Sequence, residues 1–152
     1  MKKLIFAVLC LIMAFSLCAC GKKPVPNTYC ASLSAAEKMI GFKLTAPENI
    51  DGSGTVTFRV NGRTLEVMYF NGKVLTGRIT KADNAENING IDYGYTAESQ
   101  LSDSGITYTL RGMEGSGTVN LSTWTSGKYC YLVMTGDAKS PEQLVELCKS
   151  IK

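Results

Sequence analysis

Two Asn-Gly pairs constrain the fold of this chain more than any other feature of the sequence. Asn61-Gly62 and Asn71-Gly72 separate three runs in which apolar and polar residues alternate, Thr55–Val60, Arg63–Phe70 and Lys73–Lys81. Alternation places successive side chains on opposite faces of a strand. Asn-Gly favours a two-residue type I′ turn, because both central residues need φ > 0. We therefore predict a three-stranded antiparallel meander with Asn-Gly at the centre of each turn.

Later segments of the chain also have strand character. We expect strands at Ile91–Ala97, Ile106–Arg111, Thr118–Thr125 and Lys128–Thr135, and a loop over 99–105. The last of these strands is apolar on both faces, which is typical of a central strand that is covered on both sides.

A helix is predicted on each side of the strand region. Ser32–Gly41 has serine at the start, Glu37 in position for a capping box with Ser34, and glycine at the end. Ser140-Pro141-Glu142-Gln143 combines an N-cap, proline at the first helical position and a capping-box glutamine. The 152 residues are enough for one domain with its own core. The predicted fold is α+β: a curved antiparallel sheet of about six or seven strands, with one N-terminal and one C-terminal helix.

The first residues have the organisation of a secretion signal. Lys2 and Lys3 precede an uncharged apolar run, Leu4–Leu17, which is shorter than the roughly 20 residues that span a bilayer. Leucine at position −3, alanine at −1 and cysteine at +1 form the pattern of a bacterial lipobox, with Cys20 as the residue that receives a diacylglyceryl group. The expected location is the extracytoplasmic side of the cell membrane, held by the lipid.

This processing site divides the chain into three parts. Residues 1–19 are the predicted lipoprotein signal peptide, residues 20–30 a lipidated tether, and residues 31–152 a single α+β domain. Lys22 and Lys23 lie next to the lipid, where they either attract anionic headgroups, at about 1 kcal/mol each, or only keep the tether soluble. The nine residues 21–29 reach at most about 30 Å, so the domain is expected close to the membrane.

Composition excludes several classes of function. Removing residues 1–19 leaves 14 basic and 13 acidic residues, a net charge of +1, which gives no electrostatic basis for binding nucleic acid. Histidine is absent, so histidine-based triads and histidine metal ligands are excluded. Asp83, Glu86 and Asp92 lack the spacing of a calcium loop. We predict no catalytic residues, no metal site and no cofactor, and thus a protein that is not an enzyme.

Two groups of residues are candidates for further roles. Besides Cys20, the chain after residue 19 contains three cysteines, Cys30, Cys130 and Cys148. A Cys30–Cys148 disulfide is a candidate, and the alternative is that Cys130 and Cys148 are small buried core residues. The candidate ligand surface is aromatic and consists of Tyr93, Tyr95, Trp124, Tyr129 and Tyr131. Ordinary packing of the sheet is the alternative explanation for these aromatic residues.

The order of these motifs resembles a known family. The resemblance is carried by Ser32–Lys38, Gly41-Phe42, Pro47-Glu48, Val60–Arg63, Leu65–Tyr69, Ile88–Gly90, Thr123-Trp124, Tyr129 and Ser150-Ile151. They are similar to the Gram-positive surface-lipoprotein domain known as domain of unknown function 4367, over most of residues 30–152. The resemblance implies an antiparallel sheet packed with helices, secretion, no known catalytic residues, and a connection with envelope sensing.

These observations lead to two expectations for function. The first is a lipid-anchored, non-enzymatic binding or envelope-sensing module, whose partner is an envelope protein or a small hydrophobic ligand. The alternative is a carrier of lipid or another hydrophobic molecule, held in a hollow of the curved sheet.

Overall fold

The structure, a computed structural model, describes residues 25–84, 88 and 94–152. The predicted signal peptide, the lipidation site Cys20, and Glu86, Asp92 and Tyr93 lie outside the described residues. No helix in the described part of the chain is long and apolar enough to cross a membrane.

One antiparallel sheet and two helices form the described part of the chain, which confirms the predicted α+β class. The elements are β1 (Val25–Cys30), α1 (Leu33–Ile40), β2 (Thr55–Gly62), β3 (Thr64–Asn71), β4 (Val74–Ala82), β5 (Ala97–Asp103), β6 (Ile106–Gly112), β7 (Val119–Ser126), β8 (Tyr129–Lys139) and α2 (Pro141–Lys149). The strand order is β1-β2-β3-β4-β8-β7-β6-β5, so two four-stranded meanders join through β4 and β8. The sheet is open and has eight strands, and the prediction of six or seven was wrong.

Both edge strands lie where the sequence indicated irregular chain. β1 occupies residues that we assigned to the tether, and it pairs with β2 with Cys30 opposite Phe58. Proline is tolerated there because an edge strand does not need every N–H for the ladder. β5 occupies most of the predicted loop at 99–105; its exposed side chains are largely polar, and it pairs regularly with β6. Neither strand has the apolar alternation that marks a half-buried strand.

The β2–β3–β4 meander is confirmed, but its turns differ from the prediction. Asn61 pairs with Thr64 and Asn71 with Val74, so glycine, not asparagine, is the first central residue of each turn. Only the glycines have positive φ, 62° and 60°, which is the type II′ arrangement. This register places Val60 opposite Leu65, with both side chains fully buried. Burial of that apolar pair therefore outweighs the intrinsic preference of Asn-Gly for a type I′ turn, and it sets the register.

Helix ends follow the sequence closely. Ser32 caps α1 and Gly41 ends it with φ 84°. The capping box predicted for Ser34 and Glu37 is wrong, because Glu37 instead accepts hydrogen bonds from Lys43 and from the Leu44 amide. In α2 the capping box of Ser140 with Gln143 forms as predicted.

The two faces of the sheet are covered differently. Both helices contact the same side, where the main core contains Val60, Val67, Ile79, Val133 and Leu144 among others. A smaller apolar cluster lies on the opposite side, around Ala82, Ile88, Leu121, Leu132 and Met134. β8 contributes to both and lies between β4 and β7, so the prediction of a central strand is confirmed. We call the two sides the helix face and the open face.

Candidate functional site

Aromatic side chains form a row on the helix face. Trp124 of β7 stacks on Tyr131 of β8, with ring centroids 5.0 Å apart and planes 7° from parallel. Tyr108 of β6 contacts the other side of Trp124 at 5.5 Å and 49°. The three residues come from adjacent strands, and the alternation of each strand points these side chains to the same face. Both geometries are the favourable offset and tilted arrangements of aromatic pairs.

Lys81 continues this row toward α1. Its Nζ lies 4.6 Å from the ring centroid of Tyr129, 5.1 Å from that of Tyr131 and 5.7 Å from that of Phe42. It also donates a hydrogen bond of 2.6 Å to the Lys43 carbonyl oxygen. Burial lowers the pKa of the Lys81 ammonium, since the residue is only 5% exposed. The cation therefore joins the segment after α1 to the sheet through ring faces and one backbone oxygen.

A cavity of about 270 Å³ lies between the end of α2 and the sheet. Its deep walls are buried and largely apolar: Tyr108, Trp124, Tyr131, Cys148 and Ile151. Its polar and charged lining residues come from the β5–β6 turn, the end of β7 and the end of the chain: Asp103, Ser104, Ser126, Lys149 and Lys152. We call this space the aromatic cavity.

An ion pair lies at the opening of the aromatic cavity. Lys149 Nζ is 2.7 Å from Asp103 and 2.6 Å from Glu146. The hydrogen bond from Lys149 lowers the pKa of the Asp103 carboxyl group, and the same two partners raise the pKa of Lys149. Both residues are therefore charged at neutral pH. The opening is polar and the walls are apolar.

The five aromatic residues predicted as a ligand surface do not form a single surface. Trp124 and Tyr131 line the aromatic cavity, and Tyr129 lies beyond them in the row. Tyr95 packs against the cluster on the open face, and Tyr93 is outside the described residues. Tyr108, which is not among those five residues, also lines the aromatic cavity. Its position between Thr107 and Thr109 marks it as the buried residue of an alternating strand.

All three described cysteines have free thiols, so the candidate Cys30–Cys148 disulfide is not formed. Cys30 ends β1 at one edge of the sheet, whereas Cys148 lies in α2, which packs on β7 and β8. Three other strands lie between β1 and β8, so this fold does not bring the two cysteines together. Cys130 and Cys148 are buried, as the alternative explanation required.

The open face carries a cross-strand row of residues, one from each of the eight strands. Each member is the register partner of the next. In sheet order the row is Tyr29, Arg59, Glu66, Thr80, Leu132, Thr123, Thr109 and Gln100. Leu132 is the only aliphatic member. It lies at the centre and packs in the same cluster as Ile88.

Two cavities border Ile88 on the open face. One, of about 380 Å³, is lined by Arg59, Arg63, Glu66, Arg78 and Thr80 among others. The second, of about 320 Å³, is lined by four threonines, Thr107, Thr109, Thr123 and Thr125, together with Cys130 and parts of residues Trp124 and Tyr131. We call them the arginine cavity and the threonine cavity.

The described residues assemble no metal site. No cluster of three or more Cys, Asp or Glu side chains there is arranged to hold a metal ion. Comparison of the chain with known protein families, with curated proteins and with solved structures finds no match. The resemblance to the surface-lipoprotein domain of unknown function therefore stays a prediction.

Proposed function

We propose that this chain is a lipid-anchored, extracytoplasmic binding module without enzymatic activity, and that the aromatic cavity holds the apolar part of its ligand. The observation that carries the proposal is that three aromatic rings from adjacent strands line a cavity with a charged opening. An apolar cavity with a few polar groups at its opening is the usual form of a small-molecule site.

The volume of the aromatic cavity limits its ligand. An apolar cavity of about 150 Å³ holds a benzene ring, so about 270 Å³ suits a bicyclic group or the end of one chain. A carrier that encloses a whole two-chain lipid needs a larger hollow. The size of the cavity therefore favours a binding module over the carrier of lipid.

The anchoring part of the proposal depends on Cys20. Since β1 begins at Val25, only residues 21–24 separate the lipidated cysteine from the sheet. That linker spans at most about 18 Å, which is shorter than the reach expected from the sequence. A domain on so short a linker acts at the membrane surface, on ligands that are present there.

Native mass spectrometry of protein purified from its expression host tests ligand binding. Ile106, at the start of β6, also lines the aromatic cavity. We expect an added mass on the parent protein that is lost in Ile106→Phe, because the larger side chain fills the cavity. Val56→Phe is the matched control: Val56 is another half-buried strand residue, and it does not line that cavity. If small apolar probes fail to alter the fluorescence of Trp124 and no added mass is found, the proposed site is refuted.

Anchoring is tested separately by metabolic labelling with an alkyne fatty acid. Cys20→Ala should lose the label and leave the membrane fraction, whereas Cys18→Ala should keep both. Retention of the label by Cys20→Ala would show that the lipid is attached elsewhere.

A further inference from the structure

The linker to the proposed anchor joins the sheet at one particular end. β1 begins at Val25, which pairs with Gly62 in the β2–β3 turn. Because neighbouring strands are antiparallel, the β5–β6 and β7–β8 turns lie at this same end, and the β3–β4 and β6–β7 turns lie at the other. We call these two ends of the sheet the linker end and the far end.

Both helices run toward the linker end. Just after α1, the ring centroid of Phe42 lies 5.2 Å from that of Tyr129, the first residue of β8. In the last turn of α2, Lys149 forms an ion pair with Asp103, the last residue of β5. Asp103 and Lys149 also line the opening of the aromatic cavity, together with Ser126 at the end of β7. The aromatic cavity therefore opens at the linker end.

Charged side chains are distributed unequally between the two ends. With the buried Lys81 left aside, the described residues of the linker end carry six basic side chains, Lys38, Lys43, Arg63, Lys128, Lys149 and Lys152, and four acidic ones, Glu37, Asp83, Asp103 and Glu146. Those of the far end carry three basic side chains, Lys73, Arg111 and Lys139, and six acidic ones, Glu48, Asp51, Glu98, Glu114, Asp137 and Glu142. With ion-paired groups counted like the rest, the linker end has a net side-chain charge of +2 and the far end −3. Lys22 and Lys23 in the linker equal in number Glu86 and Asp92, which lie outside the described ranges, so the linker end stays positive wherever those two acidic residues lie.

Three of the cations at the linker end are available to a partner. Lys38, Lys128 and Lys152 are exposed, and none of them is ion-paired with another described residue. Lys128 lies in the β7–β8 turn, with its Nζ 5.2 Å from the ring centroid of Tyr129. Lys152 lies at the opening of the aromatic cavity. These lysines can therefore meet an anionic surface without breaking an ion pair.

The length of the linker excludes the far end as the part of the domain that rests on the membrane. Residues 21–24 reach at most about 18 Å. β2, whose last residue pairs with Val25, has eight residues and spans about 26 Å. With the far end on the bilayer, Val25 would stand beyond the reach of a linker that starts at a lipidated Cys20.

We propose that the linker end docks on the anionic phospholipid surface of the membrane through Lys38, Lys128 and Lys152, so that the aromatic cavity opens toward the bilayer. This docking rests on the proposed lipid anchor, since only the anchor limits the distance between β1 and the membrane. Each lysine near an anionic leaflet strengthens binding by about a factor of five. In this orientation an apolar ligand enters the aromatic cavity from the membrane rather than from water.

Lysine labelling on vesicles tests the docking. The lipidated protein is inserted into preformed phosphatidylcholine vesicles, with or without an equal share of phosphatidylglycerol, and is treated with a membrane-impermeant amine reagent. In the anionic vesicles only, labelling of Lys128 and Lys152 relative to Lys73 at the far end should fall about fivefold or more. Salt at 1 M should restore it, because the Debye length is then about 3 Å.

Two outcomes of the labelling overturn the proposal. One is labelling of Lys128 and Lys152 that stays equal to that of Lys73 in the anionic vesicles. The other is equal protection in both kinds of vesicle, which would show that a second copy or another protein covers these lysines. Flotation with pure phosphatidylcholine vesicles reports the lipid anchor alone, so failure of anchoring is distinguishable from failure of docking.

Variants locate the docking surface, with energy transfer from Trp124, the single tryptophan, to dansyl headgroups as the signal. Trp124 lies two residues from the linker end of β7, so docking brings it close to the headgroups. Lys128→Gln combined with Lys152→Gln should weaken docking by about 25-fold and lower the transfer. Lys73→Gln is the matched control at the far end and should leave the transfer unchanged.

Thermal unfolding checks that each variant is folded. Transfer that falls equally in Lys73→Gln, or that survives the combined variant, overturns the assignment. Ile106→Phe should dock like the parent protein, so failure of ligand binding in the aromatic cavity is distinguishable from failure of docking.

Discussion

The Cys148→Ala substitution tests how strongly this fold depends on keeping a buried thiol protonated. Cys148 lies in α2 and is 1% exposed. Burial raises the pKa of its thiol from 9.0 to about 12. Because the folded pKa lies above the unfolded one, the stabilising contribution is complete below the unfolded pKa and is lost as the pH rises toward the folded value.

The expected loss follows from the two pKa values. At pH 10 the unfolded thiol is mostly ionised while the folded thiol is still protonated, which favours the unfolded state by between about 1 and 2 kcal/mol. Above pH 12 the loss reaches about 4 kcal/mol. From pH 7 to pH 10 the free energy of unfolding of the parent protein should therefore fall by about 1 to 2 kcal/mol more than that of Cys148→Ala.

Urea unfolding in the presence of a reducing agent measures this difference, with the emission of Trp124, the single tryptophan, as the signal. Buried tyrosines also resist ionisation, but they are common to both proteins and cancel in the comparison. Val145→Ala is the control, because Val145 is a buried residue of α2 without a titrating group. Its free energy of unfolding should lie below that of the parent protein by the same amount at every pH. If the difference in the free energy of unfolding between the parent protein and Cys148→Ala is the same at pH 7 and pH 10, the reasoning is refuted.

Two further substitutions test contacts that the fold depends on. Tyr69→Phe removes the hydroxyl that donates a 2.6 Å hydrogen bond to the Pro47 carbonyl, and it should cost about 1–2 kcal/mol in urea unfolding; an unchanged midpoint would show that the carbonyl finds another donor. Gly112→Ala places a Cβ against the Thr118 carbonyl oxygen and should lower the thermal midpoint by several degrees, whereas Gly54→Ala has open space and should not. Equal midpoints for these two variants would contradict the close approach of the two strands.

Local signals in the sequence were sufficient for most elements of the fold. The serine that caps each helix, Ser32 and Ser140, and the glycine that ends α1 act within one turn of backbone, so their effect can be predicted without a partner. The same holds for the alternation in β2, β3 and β4. The register of the two turns could not be predicted, since it depends on which cross-strand apolar pair becomes buried.

Sites formed by several strands were harder to predict. Trp124 and Tyr131 were recognised as candidates, but Tyr108 and Lys81 join them only because β6, β7, β8 and β4 are neighbours in the sheet. Tyr95 shares their residue type and lies on the opposite side. Residue type and spacing indicate which side chains are apolar. They do not indicate which strands lie beside one another.

By itself the sequence determined the α+β class, the helix ends, the β2–β3–β4 meander and the central place of β8, because these follow from turn residues, caps and apolar periodicity over short stretches. Only the tertiary structure decided that Val25–Cys30 and Ala97–Asp103 form the two edge strands of the sheet, and that β4 pairs with β8. Edge strands are partly solvated and need little apolar alternation, so their sequences resemble loops. Pairing between distant strands depends on the apolar surface area that the whole chain buries on folding. That area cannot be worked out from any single segment of the sequence.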